Sequence, residues 1–308
     1  MTPTIVVHDL VKRFGDVCAV DGISFEVRPG MIFGLLGRNG AGKTTTLECC
    51  IGLRKPTAGT IRILDLDPWD AAQFKRLRPR FGAQLQATSL PDKAKVKEIL
   101  ELYAVYYGCT PSVGASCARV GLEGKEDRLV SALSGGEKQR LALALALQHD
   151  PDIVLLDETT AGMDAFGRRV LWAEVERLRT ARKTVILTTH YIEEAERLCD
   201  LVCIVQQGKI VAQETPAALI AGFGGGTLLT IAAEGFDPRV RLKQAGTWSR
   251  RDDRWVLCTQ LEPGPIAAEI ARIAGEGGIV LHALDIRRAT LEDAFLNITG
   301  EQIEDGAA

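Results

Sequence analysis

The sequence lacks any run approaching the roughly 18 uninterrupted apolar residues that a membrane-crossing helix needs. Its best stretches, Met31 to Leu36 and Leu141 to Leu147, are far shorter. Met1 to Leu10 has no basic start, apolar core or cleavage site, so no secretion signal is expected and the cytosol is the expected compartment. No Cys-x-x-Cys pair occurs among the 8 cysteines, and Cys49 and Cys50 are adjacent, which argues against a metal or disulfide framework and for buried free thiols. Positive charge is not in excess: 37 basic against 40 acidic residues give −3, which disfavours a broad nucleic-acid surface. Internal repeats and low-complexity tracts are also missing, a few clustered glycines apart. What remains is a chain of 308 residues, 46% hydrophobic and 25% charged, with the composition of a soluble globular protein of one large or two ordinary domains.

From Thr4 to about Glu214 short β-branched runs alternate with amphipathic segments, the pattern of a mixed or mostly parallel sheet covered by helices. Strands are expected at Ile5 to Val7, Ile23 to Val27, Ile32 to Leu36, Ile153 to Leu156, Val185 to Thr189 and Leu201 to Val205. Val96, Ile99, Leu100 and Tyr103 have the spacing of one apolar helix face. Val202 to Val211 reads as a hairpin turning at Gly208. The glycines at 222, 224, 225 and 226 set the expected boundary between residues 1–221 and a small α+β domain, 222–308. That second domain is expected to hold a strand at Leu228 to Ala232, a hairpin through Asp252 and Asp253, a helix at Ile266 to Ala274, a strand at Ile279 to Leu284 and a helix at Leu291 to Ile298.

Gly37-Arg38-Asn39-Gly40-Ala41-Gly42-Lys43-Thr44, followed by Thr45, matches G-x-x-x-x-G-K-[ST] between an apolar strand and a helix-forming segment, Thr45 to Leu53. Glycines there let successive N–H groups turn inward, and the helix start adds its partial positive end, so a polyphosphate fits. Lys43 is placed to reach the β- and γ-phosphates, and the Thr44 hydroxyl is a hard ligand for magnesium. Far along the chain, the strand Ile153 to Leu156 ends in Asp157 and Glu158. The first carboxylate suits magnesium, directly or through water; the second suits orienting or deprotonating a water. Leu133-Ser134-Gly135-Gly136-Glu137 carries a Ser-x-x-Glu helix cap with two glycines at the helix start, a second phosphate site.

With these elements Thr4 to Glu214 resembles the nucleotide-binding subunit of ATP-binding cassette transporters, whose signature is Leu-Ser-Gly-Gly-Gln; Glu137 stands here for the glutamine. The resemblance implies a P-loop NTPase cassette of α/β class, a mixed sheet core plus a helical subdomain at about 87–133. It implies further that Phe14 stacks on adenine, the alternative being a core phenylalanine. It makes Gln86, with Gln84 as the register alternative, the sensor of magnesium and γ-phosphate, His190 the switch histidine, and Asp164 part of a loop crossing to a partner subunit. Arg38, Thr159 and Ala165 depart from frequent prolines or histidine of the family without removing a phosphate or magnesium ligand.

The implied working unit is a head-to-tail dimer of two copies, in which Ser134, Gly135, Gly136 and Glu137 of one copy complete the ATP site of the other. ATP and Mg2+ are the implied ligands, and Glu158, His190 and Gln86 the implied catalytic set. A separate membrane permease is the implied partner, met on the cytoplasmic face of the cell membrane; nucleic acid is not expected. Tyr103, Tyr106 and Tyr107 with Leu102 are candidates for the docking groove, although Tyr103 equally fits the helix core. Gly30 to Gly37, Thr188 to Ala195 and the tail Thr290 to Leu296 resemble the drug and antibiotic exporter branch, which implies export of a drug-like or lipophilic compound. The rival reading is a cassette ATPase acting on nucleic acid or ribosomes; such relatives carry two cassettes or a long coiled-coil arm, and this chain has neither.

Overall fold

Alternating inward Ile5, Val7 and Leu10 make a half-buried strand of β1 (Ile5–Phe14), and Val20, Ile23, Phe25 and Val27 do the same for β2 (Val17–Val27). The computed structural model describes residues 2–86, 89–242, 248–251 and 254–300. Only Gly15 and Asp16 separate the two strands, a link that allows antiparallel pairing and nothing else. They therefore stand with β4 (Ala58–Ile63) in an antiparallel sheet of their own, order β2-β1-β4, apart from the sheet that holds the other expected strands. Phe25 stacks on Phe33 at 4.8 Å and joins the two sheets in one core.

That second sheet begins with β3 (Ile32–Leu36), buried along its whole length, which leads through the 37–42 loop into α1 (Lys43–Cys50). The chain continues through α2 (Ala71–Leu77), β5 (Phe81–Gln84), α3 (Val96–Tyr107), α4 (Val113–Arg119) and α5 (Gly135–Leu147). There follow β6 (Ile153–Asp157), α6 (Ala165–Thr180), β7 (Thr184–Thr189), α7 (Ile192–Leu198), β8 (Leu201–Gln206) and β9 (Lys209–Glu214). The strand order is β5-β6-β7-β3-β8-β9, parallel except for the β8–β9 hairpin, whose turn residues Gln207 and Gly208 both have positive φ. Parallel direction puts the carboxyl ends of β5, β6, β7 and β3 along one edge, where ligands bind in open α/β sheets. Leu36 lies beside Thr189, and Asp157 beside Thr188, so loops distant in sequence start as neighbours.

Helix α5 is buried from Arg140 through Leu147, as its unbroken Leu-Ala run requires. Cys49, Cys50, Cys117, Cys199 and Cys203 are buried free thiols, and burial pushes the Cys49 thiol up to about 11.

The chain divides into compact units at Met1–Glu214 and Thr215–Ala308, seven residues before the expected boundary. The reason is α8 (Pro216–Phe223), capped by Thr215 and tied at its end by the Asn297 amide donating to the Phe223 carbonyl at 2.8 Å. Gly225 and Gly226, with φ of +81° and +92°, form a tight entry into the next strand within the second unit. This unit contains β10 (Thr227–Ala233), α9 (Pro238–Arg241), β11 (Trp248–Arg251), β12 (Arg254–Thr259), α10 (Pro263–Glu276), β13 (Leu281–Arg288) and α11 (Leu291–Thr299). Its sheet is antiparallel, order β11-β12-β10-β13, and α10 covers one face by packing Ile266, Ile270 and Ile273 on Leu229, Ile231 and Leu257. β11 and β12 pair as a hairpin, while its turn residues Asp252 and Asp253 lie outside the described residues.

Candidate nucleotide-hydrolysis site

Glycine is required in the 37–42 loop by space and by backbone conformation. A Cβ on Gly37 would sit 2.3 Å from the Val205 carbonyl oxygen, and one on Gly42, whose φ is +104°, would sit 2.4 Å from that of Ala19. The chain thus curls tightly between β3 and α1, and Ala41 is buried beneath it. Lys43, 3% exposed, donates to the carbonyls of Gly37 and Arg38 at 2.8 and 2.9 Å and lies 3.0 Å from Glu158 Oε1. Beside it opens a cavity of about 280 Å³ lined by Ala19, Asn39, Gly40, Gly42, Lys43, Thr44, Thr45, Gln86 and Glu158.

The two adjacent carboxylates occupy opposed environments. Asp157 Oδ1 accepts from the Thr188 and Thr44 hydroxyls at 2.5 and 3.0 Å, whereas Oδ2 is buried with no hydrogen-bond partner among the described residues. Burial raises the pKa of this carboxyl, opposed by those two hydroxyls. Glu158 adopts φ of +45°, uncommon for a side-chain-bearing residue, and its N–H is held by both the carbonyl and the hydroxyl of Thr188 at 3.1 Å. The turn aims its carboxylate at Lys43 and His190. His190 Nδ1 stands 3.4 Å from Glu158 Oε2 and, with the Lys43 ammonium, holds the carboxyl down at about 2 against the effect of burial. Gln86 Nε2 donates to the same Oε2 at 3.3 Å.

Gln86, not Gln84, therefore lies in the cavity. Gln84 is 1% exposed and points the other way, its amide donating to the backbone and side-chain oxygens of Gln139 at 3.0 and 2.7 Å. Phe14 is 41% exposed, with the Lys12 and Arg54 cations 5.0 and 5.3 Å from its ring centre, so it is no core residue; it does not line the cavity. Arg38 and Ala41 belong to the loop without lining the cavity either.

The second phosphate element lies elsewhere on the chain. Ser134 caps α5 by accepting from the Glu137 N–H at 3.2 Å while Glu137 accepts from the Ser134 N–H at 2.9 Å. Lys125 also pairs with Glu137, and these contacts hold its carboxyl below the ordinary range. Ser134 and Gly135 face solvent, and neither they, Gly136, Glu137 nor Asp164 lines the cavity. Asp164 caps α6 through the Gly167 N–H at 2.7 Å. Sequence reasoning missed Thr188 as the anchor of the Asp157 carboxylate and of the Glu158 backbone N–H, and Ala19 as a wall. A threonine in a buried strand has no local signal; only the register of β6 on β7 sets it beside Asp157.

Chemically, the cavity offers the Lys43 ammonium, the start of α1, the Thr44 hydroxyl and the Glu158 carboxylate, with Asp157 behind Thr44 at 3.0 Å; the Thr44 and Asp157 oxygens are hard donors of the kind Mg2+ takes.

Residues 20–161 match the family model described as ABC transporter. The chain is similar to the Nod factor export ATP-binding protein I of Burkholderia orbicola (strain AU 1054), 37% identical over 97% of both chains. The protein of that name from Paraburkholderia xenovorans (strain LB400) is 38% identical over 99% of this chain and 100% of its own. Among solved structures, an ATP-binding subunit of an ABC transporter superposes with a TM-score of 0.66 at 26% identity, covering 72% of this chain and 94% of that one.

Proposed function

This chain belongs to the ATP-binding cassette transporter family as an ATP-binding, ATP-hydrolysing subunit, and from that premise we propose that it powers export through a separate membrane permease. The observation that carries the hydrolytic assignment is the buried Lys43–Glu158–His190 cluster at the cavity wall. An incoming γ-phosphate competes with Glu158 for the Lys43 ammonium. Once Lys43 turns to the phosphates, Glu158 loses one of the cations that depress its pKa and becomes a better base toward water at the γ-phosphorus. His190 and Gln86, both beside Glu158 Oε2, hold that carboxylate and contact the γ-phosphate. Thr44, Asp157 and Gln86 would hold magnesium, with the buried Asp157 Oδ2 available as a donor; the ion, when bound, neutralises charge on the phosphate oxygens. Phe14 supplies an exposed aromatic face for adenine.

Ser134, Gly135, Gly136 and Glu137 present the exposed start of α5 to the ATP of a second copy, with Asp164 at the crossing, which makes the working unit a head-to-tail dimer. Glu137 serves there by fixing the cap that orients the Ser134 and Gly135 backbone. Among the described residues no helix is long and apolar enough to cross a membrane. The cargo route in this reading is a separate permease, with this subunit at its cytoplasmic face. Leu102 and Tyr106 on α3 are exposed, 58% and 57%, and support a permease-docking face there; Tyr107 is partly engaged, stacked on His149 at 3.8 Å. Whole-chain relatives named for Nod factor export support the export direction over the nucleic-acid or ribosome alternative, and the resemblance of Gly30 to Gly37, Thr188 to Ala195 and Thr290 to Leu296 to the drug and antibiotic exporter branch supports a drug-like or lipophilic cargo.

The test is affinity purification of the Glu158→Gln chain with ATP and magnesium from detergent-solubilised native membranes. A multi-span membrane protein is the expected companion; ribosomal or DNA-bound partners without a permease would overturn the transport role.

A further inference from the structure

We propose that the buried Gln84 and the half-buried Gln139 form an amide clasp that transmits the occupancy of the chain's own nucleotide cavity to the start of α5, the element offered to the other copy. The proposal deepens the reading given above and rests on its assignment of Gln86 and of the α5 start.

The clasp joins two elements that already touch along their length. β5 is the edge strand of its sheet, with β6 on one side and α5 lying across it. At one end His149 Nε2 lies 2.8 Å from the Phe81 carbonyl oxygen. One residue on, Gly82 approaches α5 so closely that a Cβ would sit 2.1 Å from the Ala146 carbonyl. At the far end, the Gln84 amide donates to both oxygens of Gln139. Three fastenings therefore register β5 against α5, and the last lies at the points that matter. Gln84 is two residues before Gln86, which lines the cavity; Gln139 is in the turn that follows the Ser134 cap.

A leucine would fill the site of Gln84 without the desolvation that a buried amide suffers, and Gln84 Oε1 even lacks a partner among the described residues. A polar pair in such a place is directional: displacement of β5 near Gln86 moves the α5 start instead of sliding past it. The neighbouring Arg140, 6% exposed, runs the opposite way and lies over the Phe166 ring of α6 at 5.4 Å, close to the Asp164 cap. One turn of α5 thus faces β5, the strand that leads to Gln86, on one side and the Asp164 helix on the other. Gln84 and Gln139 are positioning residues; neither lines the nucleotide cavity.

The experiment is hydrogen–deuterium exchange on the full chain carrying Glu158→Gln, at a concentration where it is monomeric, with and without ATP and magnesium. In this parent, nucleotide should slow exchange both in residues 37–44 and in residues 135–141. Adding Gln84→Leu should leave the first response intact and shrink the second at least about fivefold, within the range of coupling carried by packed networks. The pair Gln84→Leu with Gln139→Leu removes both polar partners together and guards against a folding defect; it should behave as Gln84→Leu does. In the chain with Glu158 intact, Gln84→Leu should lower kcat about tenfold while KM for ATP stays within about twofold. An α5 response that survives Gln84→Leu, or a parent that slows in the loop alone, would overturn the clasp. No loop response in the parent would instead strike the nucleotide assignment of residues 37–44, and the clasp with it.

Discussion

The two phosphate-binding elements of this chain differ in how complete they are. Around the 37–44 loop, Lys43, Asp157 and Glu158 are at most 7% exposed and bonded to one another or to Thr44, Thr188, Gln86 and His190. At the start of α5, Ser134 and Gly135 are exposed, and the cap is satisfied only by its own Glu137. The first element places the proposed base and metal donors inside a single fold, where low dielectric strengthens each interaction. The second keeps its backbone N–H groups at the surface, where they cost little to expose and remain available to another molecule. Binding can therefore be a property of one copy, and completion of the site a property of two.

Separate substitutions should pull these elements apart. Glu158→Gln should lower steady-state ATP turnover by about 10³-fold, the scale of a lost general base, while retaining nucleotide affinity in equilibrium binding and favouring the closed dimer. Wild-type-like turnover would remove Glu158 from the mechanism. Lys43→Ala should cost at least about tenfold in ATP affinity by titration, and it should lower thermal stability too, because Glu158 is left buried beside fewer cations. Ser134→Ala should do the reverse: ATP affinity of the monomer unchanged, turnover reduced, and stability lowered by about 1 kcal/mol in denaturant unfolding for the lost cap. Equal loss of monomer affinity in the two variants would erase the distinction between the elements.

Smaller effects follow from the opposed carboxylates. The folded pKa of Glu158, about 2 against an ordinary 4.5, means that its contribution to stability is present above pH 4.5 and is lost as the pH falls toward 2. The acid loss of stability over that window should be shallower in Glu158→Gln. Asp157 has the opposite sign: its folded pKa is raised by burial, so its ionised form burdens the fold above the ordinary carboxylate range and is relieved by protonation. Asp157→Asn should then raise Tm at neutral pH by about 2–4 °C in metal-free buffer while magnesium-dependent turnover falls. A lower Tm would show that its hydroxyl partners outweigh burial.

Much of this was legible from residue order. The 37–44 loop, the Ser134 cap, the strand ending in Asp157 and Glu158, and the helix Val96–Tyr107 are local patterns, each written within about a dozen residues. The choice between Gln86 and Gln84 was not, because where β5 ends is not marked in the sequence: Gln84 is still in the strand and engaged by α5, while Gln86 lies past its end, in the cavity wall. The domain boundary was likewise hidden: glycine enrichment marks backbone freedom, while the division at Glu214 depends on which unit α8 packs in.

By itself the sequence determined a phosphate loop, a helix cap with free N–H groups and a paired carboxylate, since each rests on short-range sterics and hydrogen bonding along one stretch of backbone. Tertiary structure alone decided that Thr188 holds the Asp157 carboxylate and the Glu158 backbone N–H, that Lys43 and His190 converge on Glu158, and that β1 and β2 leave the parallel sheet. These contacts join residues 30 to 115 positions apart or depend on strand register. Register is set by the sum of burial over the whole core, and no single segment carries that sum.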